Sequence, residues 1–211
     1  MTQLPDASHI VSPLTTYGVH VPRPASDKRD RLVAAASEIV AARGLDGATI
    51  ATIAARAGVP QGSVYYYFST KAAIAAAAVE PLAAQRQRDI LDWSTGADPR
   101  SRLTAYLDAS VAAAETTLAR GTAATLASQL RAQAPEAARA AAAVIAATVD
   151  WAAAQYRELG FGVEAATARA LHLVTGIEGA AQLSHAMADA TPLEREGAHL
   201  ARWVASSRSN P

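Results

Sequence analysis

Residues 49–71 read TIATIAARAGVPQGSVYYYFSTK. The stretch divides at Gly58-Val59-Pro60 into two short helical segments. Upstream, Thr49 is a capping residue, and Ile50, Ile53, Ala54 and Ala57 recur at helical spacing, so they share one inward face. Gly58 takes a positive φ without steric cost and permits a sharp turn. Val59 is expected to be buried. Pro60 has its φ preset and lacks only an amide that a helix start leaves unpaired. Downstream, a helix is expected from Gln61 to about Phe68, with Val64 and Phe68, four residues apart, on its buried side. The opposite side then carries Gln61, Ser63, Tyr65 and Tyr66: donors, acceptors and flat rings without charge. Tyr67 goes inward beside Phe68. Two helices around a tight turn, steadied by a preceding helix, form the unit that offers its second helix to the DNA major groove.

The steadying helix is expected from about Asp27 to Arg43, capped by Ser26 or Asp27 and ended by Gly44. Leu32, Ala35, Ala36, Ile39 and Val40 form its apolar face. The chain as a whole has formal net charge +0, which argues against a protein that coats nucleic acid. Between Arg23 and Lys71, however, seven basic residues face four acidic ones. Lys28 and Arg29 at one border of the unit, and Lys71 at the other, supply charge for DNA phosphates. Gly62 leaves the backbone bare, so amides near it can approach a phosphate.

Residues 28–74, KRDRLVAAASEIVAARGLDGATIATIAARAGVPQGSVYYYFSTKAAI, resemble the DNA-binding head of TetR-family (tetracycline-repressor-like) transcriptional regulators. The resemblance rests on Gly44; on Thr49, Ile53, Ala54, Ala57, Gly58 and Val59; on Gly62, Ser63, Val64, Tyr65, Tyr67 and Phe68; and on Lys71. It implies that Thr49 caps its helix near a phosphate and that Gln61, Ser63 and Tyr65 face bases or backbone. It further implies that Gly62 and Tyr66 lie against the DNA backbone and that Lys71 contacts phosphate. Where some relatives have Lys, this chain has Gln61, which exchanges a charge for an amide suited to adenine.

The remainder reads as all-α, with no strand pattern and no internal repeat. Residues 1–26 hold Pro5, Pro13, Pro22 and Pro24 without helical period and read as a flexible arm. Residues 27–71 form the head, and residues 72–211 a helical bundle for ligand binding and dimerisation. Ser69 or Thr70 should cap a fourth helix that runs to Trp93, with Pro81 inside it to kink or divide it. Further helices are expected at about 99–120, 122–133, 135–159, 163–189 and 192–206. Half the residues (51%) are hydrophobic but only 5% are aromatic, because alanine dominates. Such a chain predicts many closely packed helices with few bulky core residues.

Large side chains in an alanine-rich bundle mark a possible pocket: Trp93, Tyr106, Ser110, Leu126, Gln129, Leu130, Trp151 and His172. Each also reads as plain core. Such a lining suits a small, mostly apolar effector. Two stripes suit pairing of subunits: Val174, Ile177, Ala181 and His185, flanked by Gly176, Gly179 and Ala180; and Leu193, Gly197, Leu200 and Val204. Two such helices from each subunit would make a four-helix bundle, and the same stripes would also serve a protomer's own core.

Enzyme chemistry has little support. The histidines (His9, His20, His172, His185 and His199) form no i, i+4 pair, and there is no nucleophile elbow and no phosphate loop. Glu158, Glu164 and Glu178 read as solvated charges. The chain has no cysteine, which excludes disulfides and thiolate metal sites and fits the cytoplasm. No cofactor, no metal and no membrane segment is expected, since no uninterrupted apolar run reaches the ~20 residues a span needs. The reading is a homodimeric regulator of the repressor type that leaves a palindromic operator in double-stranded DNA when a small molecule binds its bundle. The alternative is a helical small-molecule-binding protein or enzyme with a vestigial head.

Overall fold

The computed structural model describes residues 25–207, with side chains from Asp27 onward. The arm expected over residues 1–26 lies outside the described residues, except that its last two begin the first helix. All regular structure among the described residues is helical: α1 (Ala25–Gly47), α2 (Ile50–Ala57), α3 (Gln61–Tyr67), α4 (Lys71–Trp93), α5 (Pro99–Ala112), α6 (Ala114–Arg120), α7 (Ala123–Leu130), α8 (Pro135–Glu158), α9 (Val163–Met187) and α10 (Thr191–Ser206).

The head follows its sequence closely. Within α1 the helical path stops at Gly44, whose φ of 67° only glycine adopts freely. Because α1 already includes Ala25, it begins ahead of the expected start at about Asp27, which lies in its first turn. The Thr49 hydroxyl accepts the Thr52 amide at 3.2 Å, and the Thr52 hydroxyl accepts the Thr49 amide at 2.9 Å, so both donors at the start of α2 are satisfied. Gly58 closes α2 in the left-handed region (φ 64°), and its N–H returns to the last turn. Ile53, Ala54 and Ala57 are buried, and so are Val64 and Phe68. Burial of each of the larger of these side chains favours the fold by roughly 1.5–3 kcal/mol. Val59 and Tyr67 are half-buried and pack against the same cluster.

Thr70 caps α4 by accepting the Ala73 amide at 3.0 Å. The helix passes Pro81 undivided. Proline removes only one hydrogen bond there, to the Ala77 carbonyl, and α4 packs against α1, α5 and α8. A second departure is the break at Ala113 (φ −81°, ψ 9°), which divides the helix expected over 99–120 into α5 and α6. No proline or glycine marks it. Its cause is packing: α5 lies against α10 and α8, whereas α6 turns away to lie against α9 and α1.

Two apolar clusters hold the molecule. One joins α1, α2, α3 and the first half of α4 to α7 and the start of α8, through Leu32, Val40, Ile53, Val64, Ile74, Leu130 and Ala141. The other joins the far ends of α4 and α8 to α5, α9 and α10 around Trp93, Tyr106, Trp151 and Tyr156. One helix, α8, reaches the length and mean apolarity of a membrane span despite Arg139 and Asp150. Here it lies packed against α4, α7 and α9.

Candidate nucleic-acid interface and ligand cavity

The turn at Gly58 and the burial of Val64 and Phe68 fix which side of α3 faces outward. Tyr65 is 61% exposed and Tyr66 82% exposed, and Gln61 and Gly62 are exposed beside them. Ser63 is half-buried. Tyr66 is braced by Tyr67, whose ring meets it edge-on with centroids 5.0 Å apart. At Gly62 nothing lies within 4 Å of where a side chain would start, so another backbone can come close. Thr49, exposed, stands at the start of α2 on the same unit.

The bordering cations are engaged within the protein. Arg29 makes two 2.9 Å hydrogen bonds to Glu80. Lys71 lies 2.6 Å from Asp46, which also accepts the Gln133 amide at 3.0 Å. These bonds hold the Asp46 carboxyl below its ordinary pKa, the Lys71 hydrogen bond being the largest cause. Lys28 has no ion-pair partner among the described residues. Exposed pairs of this kind are worth about 0–1 kcal/mol, so a phosphate can compete for either cation.

In the bundle, Trp93, Tyr106 and Trp151 form one aromatic cluster with centroids 5.0–6.1 Å apart, and the Trp151 indole donates to the Ser94 hydroxyl at 3.0 Å. These rings are core. Tyr106 and Ser110 also border a partly open cavity of about 150 Å³ walled by α4, α5, α6, α7, α9 and α10. The other expected pocket residues lie apart from it. Leu130 is fully buried in the head-facing cluster, with Leu126 half-buried against it. Gln129 opens onto a surface groove of about 580 Å³ between α7, α8 and α9. His172 is exposed and sits edge-on to Trp203 at 4.9 Å. The small residues around these side chains are filled by neighbouring helices, so size alone does not locate a cavity.

Two residues outside the expected pocket set complete the cavity. Arg86 reaches it from α4, its guanidinium 5.2 Å over the Trp93 ring, and Glu178 reaches it from α9. The expectation that Glu178 is solvated holds only in part: the residue is half-buried, and its Oε2 is shut away from solvent without a hydrogen-bond partner, as is Arg86 Nε. Glu158 and Glu164 are exposed as expected, and Glu158 pairs with Arg102 at 2.9 Å. Burial pushes the Tyr106 phenol well above its ordinary pKa, the Glu178 carboxylate adds to this, and Arg86 opposes it.

The two pairing stripes also land differently from their expected place. Val174, Ile177, Ala181, Leu193, Gly197, Leu200 and Val204 are buried within the protomer, and His185 is half-buried with Nδ1 2.9 Å from the Leu118 carbonyl oxygen. They close the α9–α10 and α5–α10 contacts of one chain, so they are not available to a partner. Gly176 does permit close helix approach, but to α10 of the same protomer. The outward side of α9 carries Leu171, Leu183 and Met187 at 49%, 57% and 61% exposure, with Gly179 between them.

The geometry has counterparts among known proteins. Residues 32–78 match the model of bacterial regulatory proteins of the tetR family. The head is thus similar to the DNA-binding head of that family. Over 62 residues the chain is 40% identical to the uncharacterized HTH-type transcriptional regulator YvdT of Bacillus subtilis, covering 29% of the chain and 32% of that protein. Over 102 residues it is 34% identical to the HTH-type transcriptional repressor KstR2 of Mycolicibacterium smegmatis, covering 44% of the chain and 45% of that protein. The chain thus spans less than half the length of either curated relative. Solved structures extend the likeness to the TetR-family fold as a whole. A Rhodococcus transcriptional regulator is 25% identical with a TM-score of 0.69, over 83% of this chain and 95% of that one. A TetR-family regulator from Agrobacterium tumefaciens is 18% identical with a TM-score of 0.73, over 84% and 97%.

Proposed function

We propose that this protein is a homodimeric transcriptional repressor that binds a palindromic DNA operator and leaves it when a small molecule occupies the bundle. The single observation that carries the reading is the outward side of α3. Gln61, Tyr65 and Tyr66 project from a helix anchored by Val64 and Phe68, and no fold requirement explains two neighbouring tyrosines left 61% and 82% exposed. In this reading Gln61, Ser63 and Tyr65 contact bases or backbone, Gly62 and Tyr66 lie against backbone, and Thr49, Lys28 and Lys71 approach phosphates. Residues 27–71 are the reading unit, and 72–211 sense and pair. A partner in chromosomal DNA places the working compartment in the cytoplasm.

One head covers a few base pairs, so useful affinity needs two heads about 34–36 Å apart on successive major grooves. The outward side of α9 supports pairing there, because Leu171, Leu183 and Met187 are large apolar side chains left exposed along it. Effector in the cavity, which α4 walls through Leu82 and Arg86, shifts α4 and with it the heads. Release requires that the effector bind the shifted state more tightly.

Fluorescence anisotropy with the DNA flanking the gene tests the reading. The purified dimer should bind a palindromic site there, with affinity falling steeply as salt rises. The double variant Gln61→Ala, Tyr65→Ala should lose specific binding while keeping helicity and dimerisation. Wild-type protein that ignores every flanking palindrome at low salt would instead favour a ligand-binding protein with a vestigial head.

A further inference from the structure

The cavity between α4 and α9 holds a cation and an anion that do not satisfy one another. Arg86 Nε and Glu178 Oε2 are both closed to solvent and both without a hydrogen-bond partner, and no ion pair joins the two side chains. Both residues are half-buried, so the cost falls on these two enclosed atoms, each without the hydrogen bond that water would give it. The arrangement is nevertheless a built one. Arg86 is held by its stacking over Trp93. Tyr106, kept neutral by burial, stands beside Glu178 and Arg86, and Ser110 adds a hydroxyl. Leu82, Ile177 and Leu193 supply apolar wall.

Resting on the reading of the bundle as an effector site, we propose that the effector is a compact, net-neutral zwitterion. Its carboxylate faces Arg86, its ammonium faces Glu178, and its apolar body is about the size of one six-membered ring. Charge complementarity sets the two ends. The two opposite charges of the lining favour a ligand without net charge, since an acid alone leaves Glu178 unpaired and an amine alone leaves Arg86 unpaired. Volume sets the body, because a cavity near 150 Å³ takes a benzene-sized molecule. The class differs from the mostly apolar effector that the large side chains suggest, and the difference comes from two residues at helical positions that read as surface.

The three piperidinecarboxylate isomers, zwitterions at neutral pH, test this, with cyclohexanecarboxylate, piperidine and toluene as single-feature probes. Thermal shift and calorimetry on the full chain read binding without DNA. At least one isomer should bind, and bind more tightly than cyclohexanecarboxylate, piperidine or toluene. Arg86→Met and Glu178→Gln, each checked for native helicity, should each weaken that isomer about tenfold or more, the cost of losing one charge-assisted hydrogen bond. Toluene binding as tightly as any isomer, unchanged affinity in both variants, or no binding of any isomer would each overturn the proposal. Because binding is read without DNA, failure here leaves the operator reading standing. Conversely, an isomer that binds a protein unable to recognise DNA would sink the operator reading alone.

Discussion

Two glycines four residues apart, Gly58 and Gly62, serve opposite ends. Gly58 has φ +64°, a region that costs other L-residues roughly 1–2 kcal/mol. Gly58→Ala should therefore lower stability by about that amount in denaturant unfolding. Gly62 lies within α3 with open space around it. Gly62→Ala should leave stability equal or raise it by up to ~1 kcal/mol through helix propensity, while weakening DNA affinity. A loss of stability at Gly62 would show that its side is packed and not presented. Asp98 offers a test through pH. Its carboxylate accepts the Arg100 and Ser101 amides at 2.9 and 3.1 Å, and the Ser101 amide is the main reason its pKa lies below the ordinary value. A depressed carboxylate stabilises the fold above its unfolded pKa of about 3.9 and loses that contribution as pH falls through the folded value. Asp98→Asn, a comparable cap, should unfold at nearly the wild-type temperature at neutral pH and with a shallower decline below about pH 4.

At the scale of elements, the head was legible because its signals are local. Thr49, Gly58 and Pro60 each determine backbone geometry within a residue or two, and the spacing of Val64 and Phe68 orients α3 unaided. The bundle was legible only in part. Leu193, Gly197, Leu200 and Val204 recur at helical spacing and so mark one apolar stripe, but periodicity does not say whether the covering surface belongs to the same chain. The break at Ala113 had no local signal, since it arises from α5 and α6 having different neighbours. Arg86 and Glu178 gave none either, because a charged residue on an amphipathic helix reads as solvated until the opposing helices are placed. Two glycines separate the inward and outward sides here. A side chain at Gly197 would start 2.4 Å from Val111 Cγ2, and valine in a helix has little rotamer freedom to yield. Gly197→Ala should be net destabilising, since overpacking costs about 1–3 kcal/mol against the ~1 kcal/mol that alanine gains in a helix. Gly179 has nothing within 4 Å in its own protomer. Gly179→Leu should leave the protomer folded but change its self-association, as read by sedimentation.

For the whole molecule, pairing and reading are linked by distance. Leu171→Glu with Leu183→Glu should convert a dimer to monomers by sedimentation while leaving helicity intact. DNA affinity should then become strongly dependent on protein concentration. Dimers that persist would move the interface off the outward side of α9. The head is also less separate than a boundary at residue 71 suggests. Its apolar cluster continues through Ile74 and Val79 into Ala127, Leu130, Ala134 and Ala141, and Gln133 reaches back to Asp46 outside it.

That continuity limits how such regulators can be recombined. A hybrid made by cutting at residue 71 would leave Leu32 and Val40 facing another protein's α4 and α7. A working exchange has to transplant the first half of α4, α7 and the first turns of α8 together with the three N-terminal helices, although a long stretch of chain separates α7 from the rest. The unit of inheritance for DNA specificity is then a discontinuous one, and libraries built by simple fusion at that boundary should yield poorly folded proteins even when each parent is stable.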